Sequence, residues 1–375
     1  MEIGKFIKQK DGYKAFIPSK FPPDNVLACS QKLVLKHSNA ERLLGKLDGI
    51  TQLLPDVDFF LFMYIRKDAA SSSQIEGTQA TMIDAIEAEA KTKETLPKDV
   101  DDILHYIKAL NYGLKRLSEF PLSLRFIREL HKELMEEART THFSDPGNFR
   151  KSQNWIGGTS PANASFVPPP PFEMQKALDD FEKFLHAKDE LLPLLKAGLI
   201  HAQFESIHPF LDGNGRTGRL LITFYLWLSK LLDKPVLFLS SYFRKHQKVY
   251  YAKLNGYHHG EVEEWLEFLL DGIIETAQQA ISTAQAITDL RQKDMEKIQA
   301  LSKTASESGI IVIRKLFALP IVNVNTIKEW TGFTRQGAQR VIDRFVKLGI
   351  LEQKDKNEKY GRSFIYRRYV EIFTK

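Results

Sequence analysis

Twelve consecutive residues hold the densest chemistry in this chain: His208-Pro209-Phe210-Leu211-Asp212-Gly213-Asn214-Gly215-Arg216-Thr217-Gly218-Arg219. Gly213, Asn214 and Gly215 tolerate positive φ, so consecutive backbone N–H groups can turn into one concavity and hold phosphate oxygens. A helix beginning there adds the positive end of its dipole. Arg216 and Arg219, three apart, share a face of its first turn, where two guanidinium groups repel unless a polyanion or a carboxylate lies between them. That spacing asks for a nucleotide phosphate chain. Asp212 supplies a hard oxygen ligand beside it, suited to Mg²⁺, which needs few protein ligands when phosphates provide others. His208, with an ordinary pKa of about 6.5, is the nearby side chain suited to accept a proton near neutrality.

Two apolar segments must position this stretch. Leu191 to Ile207 predicts a helix rich in Leu194, Leu195, Leu199, Ala202 and Phe204 that delivers His208 at its end. Leu220, Leu221, Ile222, Phe224, Leu226 and Leu228 make the following helix apolar nearly all round, hence buried, which gives an anion site the rigidity that preorganised electrostatics requires. A second polar segment, Ser71-Ser72-Ser73-Gln74-Ile75-Glu76-Gly77-Thr78, follows a helix begun by Phe59 through Ala70. Gly77 is a helix stop, so Glu76 falls in a last turn whose dipole disfavours a carboxylate. A cationic partner elsewhere would account for its tolerance, but on local grounds alone a solvated surface Glu is the better reading.

At every fixed position the twelve-residue stretch matches His-Pro-Phe-x-[Asp/Glu]-Gly-Asn-Gly-Arg-x-x-Arg, the signature of the Fic family, and the chain resembles that family over nearly its whole length. Ser72-x-x-x-Glu76-Gly77 resembles the family's inhibitory motif [Ser/Thr]-x-x-x-Glu-[Gly/Asn]. The resemblance implies transfer of AMP from ATP to a Ser, Thr or Tyr hydroxyl of a target protein, itself included. It implies His208 as catalytic base and Asp212 as the Mg²⁺ ligand. Asp212, Gly213, Asn214, Gly215, Arg216, Thr217 and Arg219 would then bind nucleotide, with Glu76 as the inhibitory residue that pairs with Arg219 where the γ-phosphate must go. Gly215 speaks for AMP, because a Lys there would suggest kinase-like transfer. Tyr251 is the candidate to flank the adenine, although the tyrosines around it also read as ordinary core. Asn148 to Val167 reads as a short hairpin with an irregular loop, matching the family's flap, which holds target segments by strand pairing.

The bulk numbers are ordinary for a soluble globular protein: 375 residues, 43% hydrophobic and 27% charged, enough for two or three domains. No apolar run reaches membrane-spanning length, the N-terminus lacks a signal-peptide pattern, and Cys29 is the single cysteine, so a reducing cytoplasm is expected. Cys29 reads as a small packing residue. His131 reads as a core or boundary histidine. The expected fold is mostly α, a Fic-type helical bundle with a small β-hairpin flap plus a C-terminal winged helix domain. Residues 1–98 would form an N-terminal helical region carrying the inhibitory motif, 99–290 the catalytic core, and 291–375 a winged helix-turn-helix domain. Residues 1 to about 30 read as an extended surface arm.

Residues 301–375 hold 15 Lys+Arg against 7 Asp+Glu, a surplus of +8 in a chain whose net charge is +6, so the first 300 residues sum to −2. Basic character therefore belongs to the last quarter, where Asn325 or Thr326 could cap a short helix and Thr334 a third one, Arg335 to Leu348. Two strands, Ile350–Gln353 and Ser363–Tyr369, would follow. Arg335, Gln336, Gln339 and Arg340 would face DNA, although such domains also serve as protein-binding or dimerisation modules. A homodimer stays open, and no membrane partner is expected. Two rival readings also remain: a nucleotide-sensing, DNA-binding transcription regulator, and a Fic transferase with another donor such as UTP.

Overall fold

The structure is a computed structural model that describes residues 2–22, 30–54, 57–92, 95–136, 145–188, 191–357 and 361–374. Cys29 lies outside the described residues. In chain order the elements are β1 (Gly4–Lys8), β2 (Lys14–Pro18), α1 (Gln31–Gln52), α2 (Val57–Ile75), α3 (Met82–Ala90), α4 (Val100–Leu117), α5 (Leu124–Met135), α6 (Pro171–His186), α7 (Pro193–Ile207) and α8 (Asn214–Leu228). Then come α9 (Ser240–Lys245), α10 (Gln247–His258), α11 (Val262–Gln299), α12 (Lys303–Ala318), β3 (Ile321–Val322), α13 (Val324–Thr331), α14 (Arg335–Lys347), β4 (Glu352–Gln353), β5 (Phe364–Ile365) and α15 (Arg367–Thr374).

The expected helical bundle is present, and its starts follow local chemistry. The Ser30 and Ser123 side chains accept from Leu33 and Phe126 N–H to cap α1 and α5, Thr81 and Asp84 form a capping box on α3, and Pro193 opens α7. From Leu194 to Ile207 every residue of α7 is buried. Next to it, α8 packs on α2, α4, α5 and α7, so the helix behind the glycine-rich turn is enclosed as its apolar composition predicts. α1 lies along α11.

Several expectations change. The N-terminal arm is a hairpin, with β1 and β2 antiparallel and Phe6 opposite Phe16. Phe16 N–H donates to the Val167 carbonyl at 2.8 Å, which ties this hairpin to the flap segment. The flap itself is reduced to one antiparallel bridge, Ile156 with Phe166; its glycines and the proline run that follows favour irregular backbone. Position 290, the expected end of the catalytic core, lies inside α11, a helix of 38 residues.

In the C-terminal unit, α12 to α14 are followed by β4 and β5, and β3-β5-β4 form an antiparallel sheet. The cap of α13 is Asn323, paired with Thr326 in a capping box, and not Asn325. Thr334 caps α14 as expected, accepting from Gly337 N–H. The second strand ends at Ile365 and gives way to α15, because Tyr369, Val370 and Phe373 bury one helical face. This unit sits against α2 and α3: Tyr369 donates to the Phe59 carbonyl at 3.3 Å, and Lys354 pairs with the buried Glu87 of α3. No described helix is long and apolar enough to cross a membrane.

Candidate active site

The glycine-rich turn opens onto a cleft of about 640 Å³, lined by residues that include Glu76, Glu205, His208, Asp212, Gly213, Asn214, Gly215, Arg219 and Tyr251. The chain reverses twice to build it. His208 ends α7 in the left-handed region at φ 49°, and Gly213 starts α8 at φ 75°. No side chain caps the first turn of α8. The N–H groups of Asn214, Gly215 and Arg216 are therefore left for a ligand.

Asn214 locks the turn: its Oδ1 accepts from Phe210 N–H at 2.9 Å and its Nδ2 donates to the Phe210 carbonyl at 2.8 Å. Thr217 Oγ1 donates to the Gly213 carbonyl at 2.8 Å. From outside, buried Arg150 donates Nε to the His208 carbonyl at 2.9 Å and Nη2 to the Pro169 carbonyl at 2.5 Å. Burial lowers the Arg150 pKa to about 10. His131 stacks on Phe210 with ring centroids 3.6 Å apart. Because Gly147 N–H donates to His131 Nδ1 at 2.9 Å, the proton sits on Nε2, which donates to the Asp212 carbonyl at 3.0 Å. Burial pushes His131 down to about 4, so the ring stays neutral. His131 is thus the satisfied histidine expected, and it shapes the site.

His208 is also driven neutral, to about 4, first by burial and then by the Arg150 charge. Its Nδ1 is buried beside Glu205, 3.7 Å from Oε2, and makes no hydrogen bond of ordinary geometry. Nε2 is therefore the nitrogen that can face the cleft. Asp212 points one oxygen back, with Gly213 N–H donating to Oδ1 at 2.6 Å. Among the described residues no group of three or more His, Cys, Asp or Glu could hold a metal ion. A lone carboxylate beside open N–H groups suits a cation that takes its other ligands from phosphates, as Mg²⁺ does.

Arg219 meets Glu76 at 2.7 Å through Nη2, and also donates Nε to Ser72 Oγ at 2.8 Å and Nη2 to the Ser72 carbonyl at 3.0 Å. The Arg219 side chain is 2% exposed and that of Glu76 39%. Burial opposes the Arg219 charge, but Glu76 overrides it and raises the pKa. α2 ends at Ile75, Glu76 follows in a turn, and Gly77 has φ 99°. A Cβ at position 215 would press on Glu76 Oε1, so a larger residue there would have to displace that carboxylate.

The structure thus brings Glu76, His208, Asp212, Gly213, Asn214, Gly215, Arg219 and Tyr251 to one cleft. Two expected members stand apart. The Arg216 side chain reaches Met135 Sδ at 3.4 Å and lies 4.0 Å from Asp102, and Thr217 bonds back to the turn; neither lines the cleft. Arg216 and Arg219 therefore do not form a pair on one ligand. Tyr251 is 48% exposed, while its neighbour Tyr250 is buried and meets His201 at 2.8 Å. The sequence reading passed over Glu205, Arg150 and Asn154, whose Nδ2 donates to the Phe210 carbonyl at 2.8 Å.

The fold is a mostly helical bundle with His208, Asp212 and the start of α8 in one cleft, and comparison gives its family. A model described as Fic/DOC family matches residues 121–226, and one described as Fic/DOC family N-terminal matches 34–115. The chain belongs to the Fic/DOC family. It is 31% identical to Protein adenylyltransferase Fic of Aedes aegypti over 170 residues, 44% of this chain and 30% of that protein. For the Nematostella vectensis protein of the same name the identity is 30% over 206 residues, 53% of this chain and 44% of that one. The chain thus spans less than half the length of these curated relatives. Its fold is similar to a Fic family protein from Desulfovibrio desulfuricans G20, at TM-score 0.58 and 18% identity over 90% of this chain and 96% of that one. Fic-1 (residues 134–508) from C. elegans gives TM-score 0.52 and 18% identity over 68% and 73%.

Proposed function

We propose that this chain is a protein adenylyltransferase that moves AMP from ATP to a Ser, Thr or Tyr hydroxyl and is held inactive by Glu76. The observation that carries the reading is the Glu76–Arg219 ion pair, set in the same cleft as the neutral His208 and the open N–H groups of α8. His208 Nε2 accepts the hydroxyl proton as the oxygen attacks the α-phosphorus. The first turn of α8 and its dipole stabilise charge on the departing pyrophosphate. Asp212 would hold Mg²⁺, whose charge would help neutralise the phosphates when bound. Arg219, freed from Glu76, would receive the γ-phosphate. Arg216 would contribute through its backbone N–H, given where its side chain lies.

Labelling with ATP carrying ³²P at the α or the γ position tests the reaction in the Glu76→Gly protein. Label from the α position alone is the expected outcome, and label from the γ position contradicts AMP transfer. Excess unlabelled UTP leaves the α-label unchanged if ATP is the donor.

The C-terminal unit supports a second, separate property, contact with duplex DNA. Arg335, Gln336 and Arg340 are exposed along the start of α14 in the basic quarter of the chain. Binding of a fluorescent duplex that weakens steeply with salt is expected, and no binding at low salt contradicts it.

A further inference from the structure

The reaction proposed above leaves a cation on the His208 ring, inside a site where burial makes an unpaired charge costly. Glu205 stands three residues earlier on α7, on the same face, with Oε2 3.7 Å from His208 Nδ1. The His208 end of that approach is unpaired, since Nδ1 has no hydrogen-bond partner; Glu205 is buried, and its other oxygen, Oε1, has none either. Buried polar atoms are rarely left unpaired without a reason.

Space for this carboxyl is built into the opposite helix. At Gly218, inside α8, a Cβ would lie 2.7 Å from Glu205 Oε1. Glycine in a helix interior costs about 1 kcal/mol relative to alanine, and here it admits the carboxyl against the helix backbone. Other charged or titratable groups surround Glu205 and His208: His258 of α10 meets Ser206 Oγ at 3.0 Å, and His201 Nδ1 is buried without a hydrogen-bond partner. Arg219 holds Glu76 and Ser72, and His201 of α7 meets the Tyr250 hydroxyl of α10 at 2.8 Å. Tyr251 of α10 lies near Gln247, 3.5 Å from its Nε2.

We propose that Glu205 is the positioning residue of His208, holding the Nδ1–H so that Nε2 faces the target hydroxyl and balancing the imidazolium that forms there. The proposal rests on the AMP-transfer reading. The hydroxyl oxygen bonds to the α-phosphorus, the bond from that phosphorus to pyrophosphate breaks, the proton passes to Nε2, and Glu205 stays ionised throughout. Burial lifts the Glu205 carboxyl to about 7, with Arg219 opposing and Glu76 reinforcing, whereas His208 lies near about 4. A rise in rate through neutrality therefore belongs to Glu205 and not to the base itself.

The test measures kcat and KM for ATP from about pH 5.5 to about 8.5 in Glu76→Gly and in Glu76→Gly/Glu205→Gln. The first should rise across neutrality. The second should lose that rise and fall roughly 10–100-fold in kcat at the alkaline end, with KM for ATP unchanged. Glu76→Gly/Glu205→Asp should recover part of the rise, which a merely structural carboxyl would not do. An unchanged rise in the Gln variant overturns the proposal. A second measurement needs neither the Gln variant nor turnover: the His208 ring resonances of the Glu76→Gly protein should show an inflection near neutrality, transmitted from Glu205. Their absence of response in that range also overturns it. If Glu76→Gly labels nothing while that inflection is present, the AMP-transfer reading fails and the Glu205–His208 contact stands.

Discussion

The turn from His208 to Arg219 and the turn that carries Glu76 meet in one cleft, yet they are held in different ways. The first is fastened from inside and outside: Asn214 bonds both backbone groups of Phe210, while Arg150 and His131 bind its carbonyls. The second is anchored at its base, where Gln247 donates to the Ile75 carbonyl at 3.1 Å and Thr78 to Asp102 at 2.9 Å. Among the described residues its tip, the half-exposed Glu76 carboxylate, pairs with Arg219 only. On the proposed function, a rigid anion site next to a carboxylate secured through a single partner is a machine and its latch. Their energies should separate when each is broken.

Breaking the machine gives the largest effect. His208→Ala in the Glu76→Gly background should lower labelling by about 10²–10⁴-fold, the range that general-base removal costs, measured as initial rate with ATP saturating. Breaking the latch comes next. Glu76→Gly should raise labelling more than about tenfold over wild type, the factor that about 1.4 kcal/mol of occlusion is worth.

Acid should loosen the machine as a whole. His131, His201, His208 and His258 have pKa values lowered to about 4, 3, 4 and 3, each chiefly by burial. A histidine whose folded pKa lies below its unfolded value adds stability that is complete above about pH 6.5 and is lost as the unfolded chain takes up protons below it. Glu205, raised to about 7, and Asp68, also raised by burial, act with the opposite sign. Four groups outweigh two, so the thermal midpoint should fall between about pH 6.5 and 4. A flat midpoint over that window would contradict the burial.

Smaller effects sharpen the contrast. Gly215→Ala should be less favourable in wild type than in Glu76→Gly, because its Cβ strikes the end of the Glu76 side chain, read by denaturant unfolding as a double-mutant cycle. Asn214→Ala should cost about 1–2 kcal/mol in both backgrounds alike, since its partners lie within the turn.

What the sequence made legible follows the same division. The glycine-rich turn, the buried α8 and the cap of α14 are written locally, in residue types at fixed spacing, and they are where the pattern put them. The acidic partner for Arg219, 143 residues away, was legible through the family resemblance of the two motifs, which their opposite charges reinforce. Arg150 and Glu205 were not, because an arginine that binds carbonyls and a glutamate that faces a histidine leave no local signature; only tertiary packing aims them. Arg216 was misplaced for a similar reason. Spacing puts it near Arg219 on an isolated helix, but α4 and α5 offer Asp102 and Met135 on the other side. Tyr366 to Tyr369 looked like a strand because aromatic residues favour sheets, whereas the burial of Tyr369, Val370 and Phe373 follows a helical period.

The most direct test of latch and machine together is the intact mass of wild type, Glu76→Gly and Glu76→Gly/His208→Ala after incubation with Mg²⁺, ATP and a mixture of candidate target proteins. The account predicts a gain of one AMP unit on a protein in the Glu76→Gly reaction, little in wild type and none in the double variant. Equal modification by wild type and Glu76→Gly would contradict the latch, and modification that survives His208→Ala would contradict the base.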